Sequence, residues 1–178
     1  MKYTQTIQII ISVLITFDLI QIFDPQILKA MYQFLVNLHS GFRYIVLLLL
    51  LVVIIKSLQS WLTKKAYTSL DNKLSLWLLI VTHLQLVFGL LLYFISPAVQ
   101  FNSTTMKDAS TRYWTVEHFF MMILAIVLIT IARISHKKLT NDEAKHKRLF
   151  LLNVVALIII VVAIVSSHRG LIIPTQYQ

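Results

Sequence analysis

The chain of 178 residues is 58% hydrophobic and only 13% charged, with a mean hydropathy of +0.79. Soluble domains contain about 25% charged residues, so this composition predicts an integral membrane protein whose main partner is the lipid bilayer. The absence of cysteine excludes covalently attached c-type haem, thiolate-bound iron–sulfur clusters and disulfides. The net charge of +9 does not indicate nucleic-acid binding, because the basic residues cluster in two short segments between apolar runs.

Residues 1–30 form an N-terminal hydrophobic segment that is open to more than one interpretation. Residues 3–23 are long enough to cross a bilayer, although they include Asp18 and several glutamine and threonine residues. We expect an additional helical span; the alternative is an upstream extension that precedes a natural start at Met31. The absence of a small-residue cleavage site argues against a removed signal peptide. From Pro25 onward, apolar residues at helical spacing predict an interfacial approach to the next helix.

Residues 31–178 are expected to form the main domain, a four-helix transmembrane bundle. The predicted spans cover residues 35–55, 74–95, 113–132 and 149–165, each close to the roughly 20 residues that cross a bilayer. Lysine and arginine concentrate in the connections after the first and third spans, which the positive-inside rule places in the cytoplasm. Because short connections make consecutive helices antiparallel neighbours, the fold class is an all-α, up-down bundle with an additional N-terminal helical segment.

Four histidines lie within or at the ends of these apolar stretches, where ionisable side chains usually face a bundle interior, a partner or a cofactor. At about 1.5 Å per residue from the cytoplasmic end, His39 lies at about 25 Å and His118 at about 22 Å. His83 lies at about 15 Å, and His168 at about 30 Å, near the outer rim. His39 and His118 also lie on diagonal helices, so they are the best candidates for the two axial ligands of one haem.

Two charged residues accompany this pair. Arg43 lies one helical turn deeper than His39 on the same helix face, where its guanidinium could hold a haem propionate. The alternative is an ion pair between Arg43 and Glu117, the neighbour of His118, which would serve helix packing.

Other polar residues suggest weaker candidates. Thr82, His83 and Gln85 form a polar group near the middle of the second span that could supply a hydrogen bond, a quinone contact or an alternative ligand. His136 and His146 lie in the basic connection after the third span and are expected to be solvated.

Three segments of the chain together resemble a known protein family. They are residues 31–43 (MYQFLVNLHSGFR), residues 82–97 (THLQLVFGLLLYFISP) and residues 112–122 (RYWTVEHFFMM). They resemble small bacterial four-helix membrane proteins that are commonly labelled cytochrome b-like, and the likeness extends from about Met31 to the fourth span. The resemblance implies a multi-pass protein of the bacterial inner (cytoplasmic) membrane. It also implies a b-type haem held by helix histidines, with His39, His83 and His118 at the motif positions.

These patterns leave three functions open. The first is a membrane electron-transfer protein with one bis-histidine haem b near the outer leaflet, acting between the quinone pool and an outer partner or within a respiratory assembly. The second is a non-catalytic structural or assembly subunit of a membrane respiratory complex. The third is a quinone-binding or proton-relay protein without haem that uses His83, Gln85 and Glu117. The sequence contains no hydrolase triad, phosphate-binding loop or dinucleotide fingerprint.

Overall fold

The computed structural model describes residues 24–136 and 138–167, and every regular element in these residues is helical. The four long helices are α1 (Pro25–Leu62), α2 (Ser69–Ile95), α3 (Ala109–His136) and α4 (Asp142–Ser166). Each is long and apolar enough to cross a membrane, which confirms the predicted all-α class with four apolar helices. The predicted span over residues 3–23 and the rim position of His168 lie outside the described residues.

The first helix is longer than the sequence pattern predicts. It begins at Pro25 because the Asp24 carboxylate accepts a hydrogen bond from the Gln26 backbone N–H at 2.8 Å and proline suits the first helical position. The helix continues without a break through Met31 and has 38 residues, a length of about 57 Å. The residues expected to approach the membrane interface therefore belong to the same helix as the first span.

The second helix is tied to the first at its N-terminus. Thr68 and Asp71 form a capping box, in which each side chain accepts a hydrogen bond from the other residue's backbone N–H. The Asp71 carboxylate also lies 2.9 Å from the Lys56 Nζ atom of α1. At the opposite end α2 stops at Ile95, before Ser96 and Pro97, as the sequence predicts.

The third helix contains an irregularity that the sequence pattern does not predict. Residues Tyr113–Glu117 form a π-helical turn, which lies between the first turn of α3 and the regular helix from His118 onward. Such a turn contains one residue more than an α-helical turn and is often found at functional sites. The π turn therefore changes which side chains of α3 lie on the same face of the helix.

The helices pack in the order that an up-down bundle requires. Helix α1 packs along α2 and α4, and α3 packs along α4, whereas the contact between α2 and α3 is less extensive. Helices α1 and α3 are therefore diagonal, as the short connections predict. Leu50, Leu78, Ala125, Ile129 and Ala156 form the centre of the core.

Ala156 tests how tightly this core is packed, because the residue is fully buried (0% exposed) between neighbouring helices. We expect Ala156→Leu to lower the free energy of unfolding by about 1–3 kcal/mol, since extra methylene groups overpack a filled core. The measurement is thermal unfolding in detergent, with Val155→Leu on the exposed face as the matched control. Equal stability of the two variants would contradict the close approach of the helices.

Candidate functional site

All four helices line a cavity of about 200 Å³. It lies towards the end of the molecule that carries the α2–α3 connection, because Ala98 and Val99 of that connection form part of its wall. Most of the lining is apolar, including Leu86, Met122, Ala125, Ile126 and Ile160. The sequence-predicted residues His39, Arg43 and His118 all reach this cavity, so the structure brings them together.

His39 lies where α1 and α2 approach closely. A Cβ atom on Gly89 of α2 would come within 3.1 Å of the His39 Cε1 atom, so the absence of a side chain at Gly89 makes room for the ring. The Gln85 side-chain amide donates a hydrogen bond to the His39 backbone carbonyl at 2.8 Å. The His39 Nδ1 atom is buried and has no hydrogen-bond partner among the described residues. A buried polar atom in that state is costly unless a ligand or water pairs with it.

His118 approaches the cavity from α3, at the end of the π turn. Its Nδ1 atom lies 3.3 Å from the hydroxyl oxygen of Tyr113, and the two ring centroids are 5.8 Å apart. The Tyr113 hydroxyl also donates a hydrogen bond to the Ala163 backbone carbonyl of α4. The Trp114 ring packs against the imidazole at a centroid distance of 5.3 Å. Residues of α3 and α4 therefore orient this histidine.

Arg43 is half-buried in the cavity wall, and its proposed partner Glu117 is engaged elsewhere. The Arg43 guanidinium lies 5.0 Å from the centroid of the Tyr44 ring and donates to the Tyr44 hydroxyl at 3.2 Å. Glu117 instead pairs with Arg112 at 2.7 Å. The alternative pairing of Arg43 with Glu117 is therefore wrong, because the π turn places residues five positions apart above one another. Within the described part of the chain, no carboxylate lies within 4.0 Å of Arg43.

The polar residues of α2 divide between two faces. Thr82 and Gln85 line the cavity, where Thr82 Oγ1 and Gln85 Oε1 are buried without a partner in the described residues. His83 is exposed on the outer surface, and its Nδ1 atom lies 2.8 Å from the Leu79 backbone carbonyl. The structure therefore does not bring His83 together with His39 and His118.

The expectation that His136 and His146 are solvated is wrong. The two side chains are only 2% and 0% exposed, because α3 continues to His136 and α4 begins at Asp142. The Tyr67 ring packs against both imidazoles, at centroid distances of 5.1 Å and 5.3 Å. The sequence around the two histidines is basic, which is typical of an exposed connection. Their burial depends on where α3 ends and α4 begins, and the residue pattern does not show these positions.

The two buried histidines differ in their hydrogen bonds. The His136 Nε2 atom lies 2.9 Å from the Tyr67 hydroxyl and 3.2 Å from Arg133 Nη1, and its Nδ1 atom lies 3.2 Å from the Ala132 carbonyl. Because a guanidinium only donates, Nε2 accepts and Nδ1 carries the hydrogen. Burial raises the pKa of Tyr67, which keeps its hydroxyl protonated. By contrast, neither ring nitrogen of His146 has a partner among the residues described.

Two imidazoles, those of His39 and His118, line the cavity and are candidate ligands for a cofactor. Within residues 24–136 and 138–167, no group of three or more histidine or carboxylate side chains is arranged to hold a metal. A haem needs only two axial side chains from the protein, and the cavity is lined by two imidazoles.

No protein-family model, curated protein or solved structure matches this chain. The function must therefore be inferred from the residues and their geometry.

His146 and His136 provide a matched test of the buried cluster. We expect His146→Phe to leave stability unchanged or raise it, because the substitution removes two buried nitrogens that have no partner. His136→Phe should cost about 1–3 kcal/mol, since it removes the hydrogen bonds that Tyr67 and Arg133 make to the buried imidazole. Thermal unfolding of both variants in detergent is the measurement. A loss in His146→Phe as large as that in His136→Phe would contradict the arrangement.

Proposed function

We propose that the chain is a multi-pass membrane electron-transfer protein that binds one haem b between His39 and His118. The observation that carries the proposal is that these two histidines, from the diagonal helices α1 and α3, line the same cavity. The depth comparison made from the sequence selects the same pair. Arg43 adds a positive charge at the same cavity.

Membrane insertion is supported by the outer faces of the helices. Large apolar side chains are exposed along all four, including Phe94, which is 81% exposed. A soluble monomer rarely exposes so large an apolar surface. Lysine and arginine concentrate in the connections at the end opposite the cavity, which by the positive-inside rule supports a cavity in the outer half of the membrane. The resemblance to bacterial proteins supports assignment to the inner membrane.

The side chains at the cavity suit haem, but the cavity must widen before haem can bind. His39 and His118 would hold the iron, and Arg43 would pair with a propionate. Met122, Ala125 and Ile126 supply apolar wall. A cavity of about 200 Å³ is smaller than the 300–1,000 Å³ typical of ligand pockets, so binding requires the cavity to widen. Among neighbouring helices, α2 and α3 pack least extensively. We therefore expect the cavity to widen between these two helices.

The residues of the chain have distinct tasks in this proposal. With His39 and His118 as its protein ligands, a bound haem would supply one-electron transfer rather than oxygen binding. The cavity wall is mostly apolar, and the Gln85 side-chain amide donates a hydrogen bond to the His39 backbone carbonyl. Arg43 stabilises negative charge at the cavity without competition from a protein carboxylate in the described part of the chain.

The visible spectrum of protein purified from membranes tests the proposal. We expect a Soret band and a reduced-minus-oxidised spectrum of b type in the wild type, with loss of haem in His39→Ala and in His118→Ala. His83→Ala is the matched control, because its side chain lies outside the cavity, and it should retain the full spectrum. A wild-type protein without a Soret band, or equal loss of haem in the control, would refute the assignment.

A second candidate, quinone binding without haem, is favoured by three buried polar atoms. His39 Nδ1, Thr82 Oγ1 and Gln85 Oε1 all belong to residues of the cavity wall and have no partner among the described residues. A hydroxyl and an imidazole N–H can donate to quinone carbonyls. Of the three residues named for this function from the sequence, only Gln85 reaches the cavity. Recovery of one quinone per chain from haem-free protein would support this candidate over haem.

Gly89 provides a prediction about the shape of the site. Gly89→Ala would place a methyl group 3.1 Å from His39 Cε1, so the imidazole must move by a few tenths of an ångström. We expect weaker haem retention on dilution in detergent. Gly41→Ala is the matched control, because a Cβ atom there meets nothing within 4 Å and alanine favours the helix. If both variants retain haem equally, the close approach of α2 does not set the position of His39.

A further inference from the structure

Helix α2 presents a short row of side chains to the cavity. Thr82, Gln85 and Gly89 are three and four positions apart, so they lie on one face of the helix, and all three line the cavity. Gly89 has no side chain, so Thr82 and Gln85 supply the polar groups of this row. The ligand that suits this wall therefore depends on what these two side chains can donate and accept.

The direction of the Gln85 amide is fixed by α1. Its Nε2 group donates to the His39 backbone carbonyl at 2.8 Å, and a carbonyl oxygen can only accept. The amide cannot be flipped without loss of this hydrogen bond, so its Oε1 atom is the group left for another partner. This oxygen is buried, only accepts hydrogen bonds and has no partner in the part of the chain that the structure describes.

Thr82 supplies the complementary group. The residue is 3% exposed, and its hydroxyl also has no partner among the described residues. A hydroxyl can donate one hydrogen bond as well as accept, whereas Gln85 Oε1 only accepts. Side chains three positions apart on a helix are neighbours, with Cβ atoms about 5–6 Å apart. One ligand hydroxyl would therefore satisfy both residues, because it can donate to Gln85 and accept from Thr82.

The cavity has the size and the lining for one aromatic ring. An apolar cavity of about 150 Å³ in a protein binds benzene, and this cavity measures about 200 Å³. Haem requires the cavity to widen, whereas a single ring with oxygen substituents matches its present volume. Trp114 and Phe119 contribute aromatic surface to the wall, where a ligand ring can pack edge-to-face or offset.

We propose that Thr82 and Gln85 form a binding subsite for an aromatic hydroxyl group, at which Gln85 selects a hydroquinone over the corresponding quinone. A hydroquinone O–H donates to Gln85 Oε1, whereas a quinone carbonyl only accepts and leaves this buried oxygen unpaired. The penalty for an unpaired buried acceptor corresponds to a preference of about ten-fold. Thr82 donates to either form, so it anchors the ligand without discriminating. The inference rests on the quinone-binding candidate of the proposed function and does not require haem.

Titration calorimetry of the haem-free full chain in detergent tests this selectivity. The probes are a short-chain benzohydroquinone, kept reduced under anaerobic conditions, and the matching benzoquinone. We expect the wild type to bind the hydroquinone about ten-fold more tightly than the quinone. Gln85→Met, which replaces the amide with an apolar side chain of similar length, should lose the preference through weaker hydroquinone binding. Thr82→Val should weaken the binding of both forms.

Ser40→Ala is the matched control, because Ser40 lines the same cavity from α1, and it should keep the wild-type preference. Equal affinities of the wild type for the two probes, or an unchanged preference in Gln85→Met, would overturn the proposal. Binding of neither probe would also overturn it, since the two polar groups would then serve water alone.

The visible spectrum separates this inference from the haem assignment. A wild type that shows a Soret band but binds no hydroquinone would keep the haem assignment and refute the subsite. Hydroquinone selectivity in a chain that binds no haem would support the subsite and refute haem binding.

Discussion

The π turn from Tyr113 to Glu117 determines how α3 meets the rest of the molecule. Because its hydrogen bonds join residues five positions apart, it places His118 beside Tyr113 and Glu117 beside Arg112. Tyr113 in turn reaches the Ala163 carbonyl of α4. One irregular turn thus brings His118 beside Tyr113 at the cavity and Glu117 beside Arg112.

The remaining architecture supplies a cavity whose wall is mostly apolar. Small residues such as Ala125 and Ala156 let the helices pack closely at the centre, and Gly89 makes room for the His39 ring. Towards the α2–α3 connection the helices enclose the cavity, where buried atoms of His39, Thr82 and Gln85 lack partners in the described residues. Buried polar atoms of this kind cost free energy unless they serve a ligand or bind water. Because these atoms belong to residues of one cavity, they mark this cavity as the candidate ligand site.

The sequence predicts the elements of this fold well because apolar length is a strong signal. The spans, the end of α2 at Ser96-Pro97 and the grouping of His39 with His118 all follow from hydropathy, helix rise and chain reversal. Three features do not follow from these signals. They are the outward position of His83, the Arg112–Glu117 pair, and the burial of His136 and His146. They depend on helix rotation, on the π turn and on where α3 and α4 end, and no local pattern encodes these features. Gly89 carried a signal, since a glycine within an apolar helix suggests a close approach.

The most direct test of the central claim is electron paramagnetic resonance of the oxidised protein loaded with haem. Two histidine ligands from one cavity should give a low-spin ferric signal of bis-imidazole type, with one haem per chain. Replacement of either His39 or His118 by alanine should convert any bound haem to a high-spin species. A high-spin signal in the wild type, or a low-spin signal that survives both single replacements, would contradict ligation by this pair.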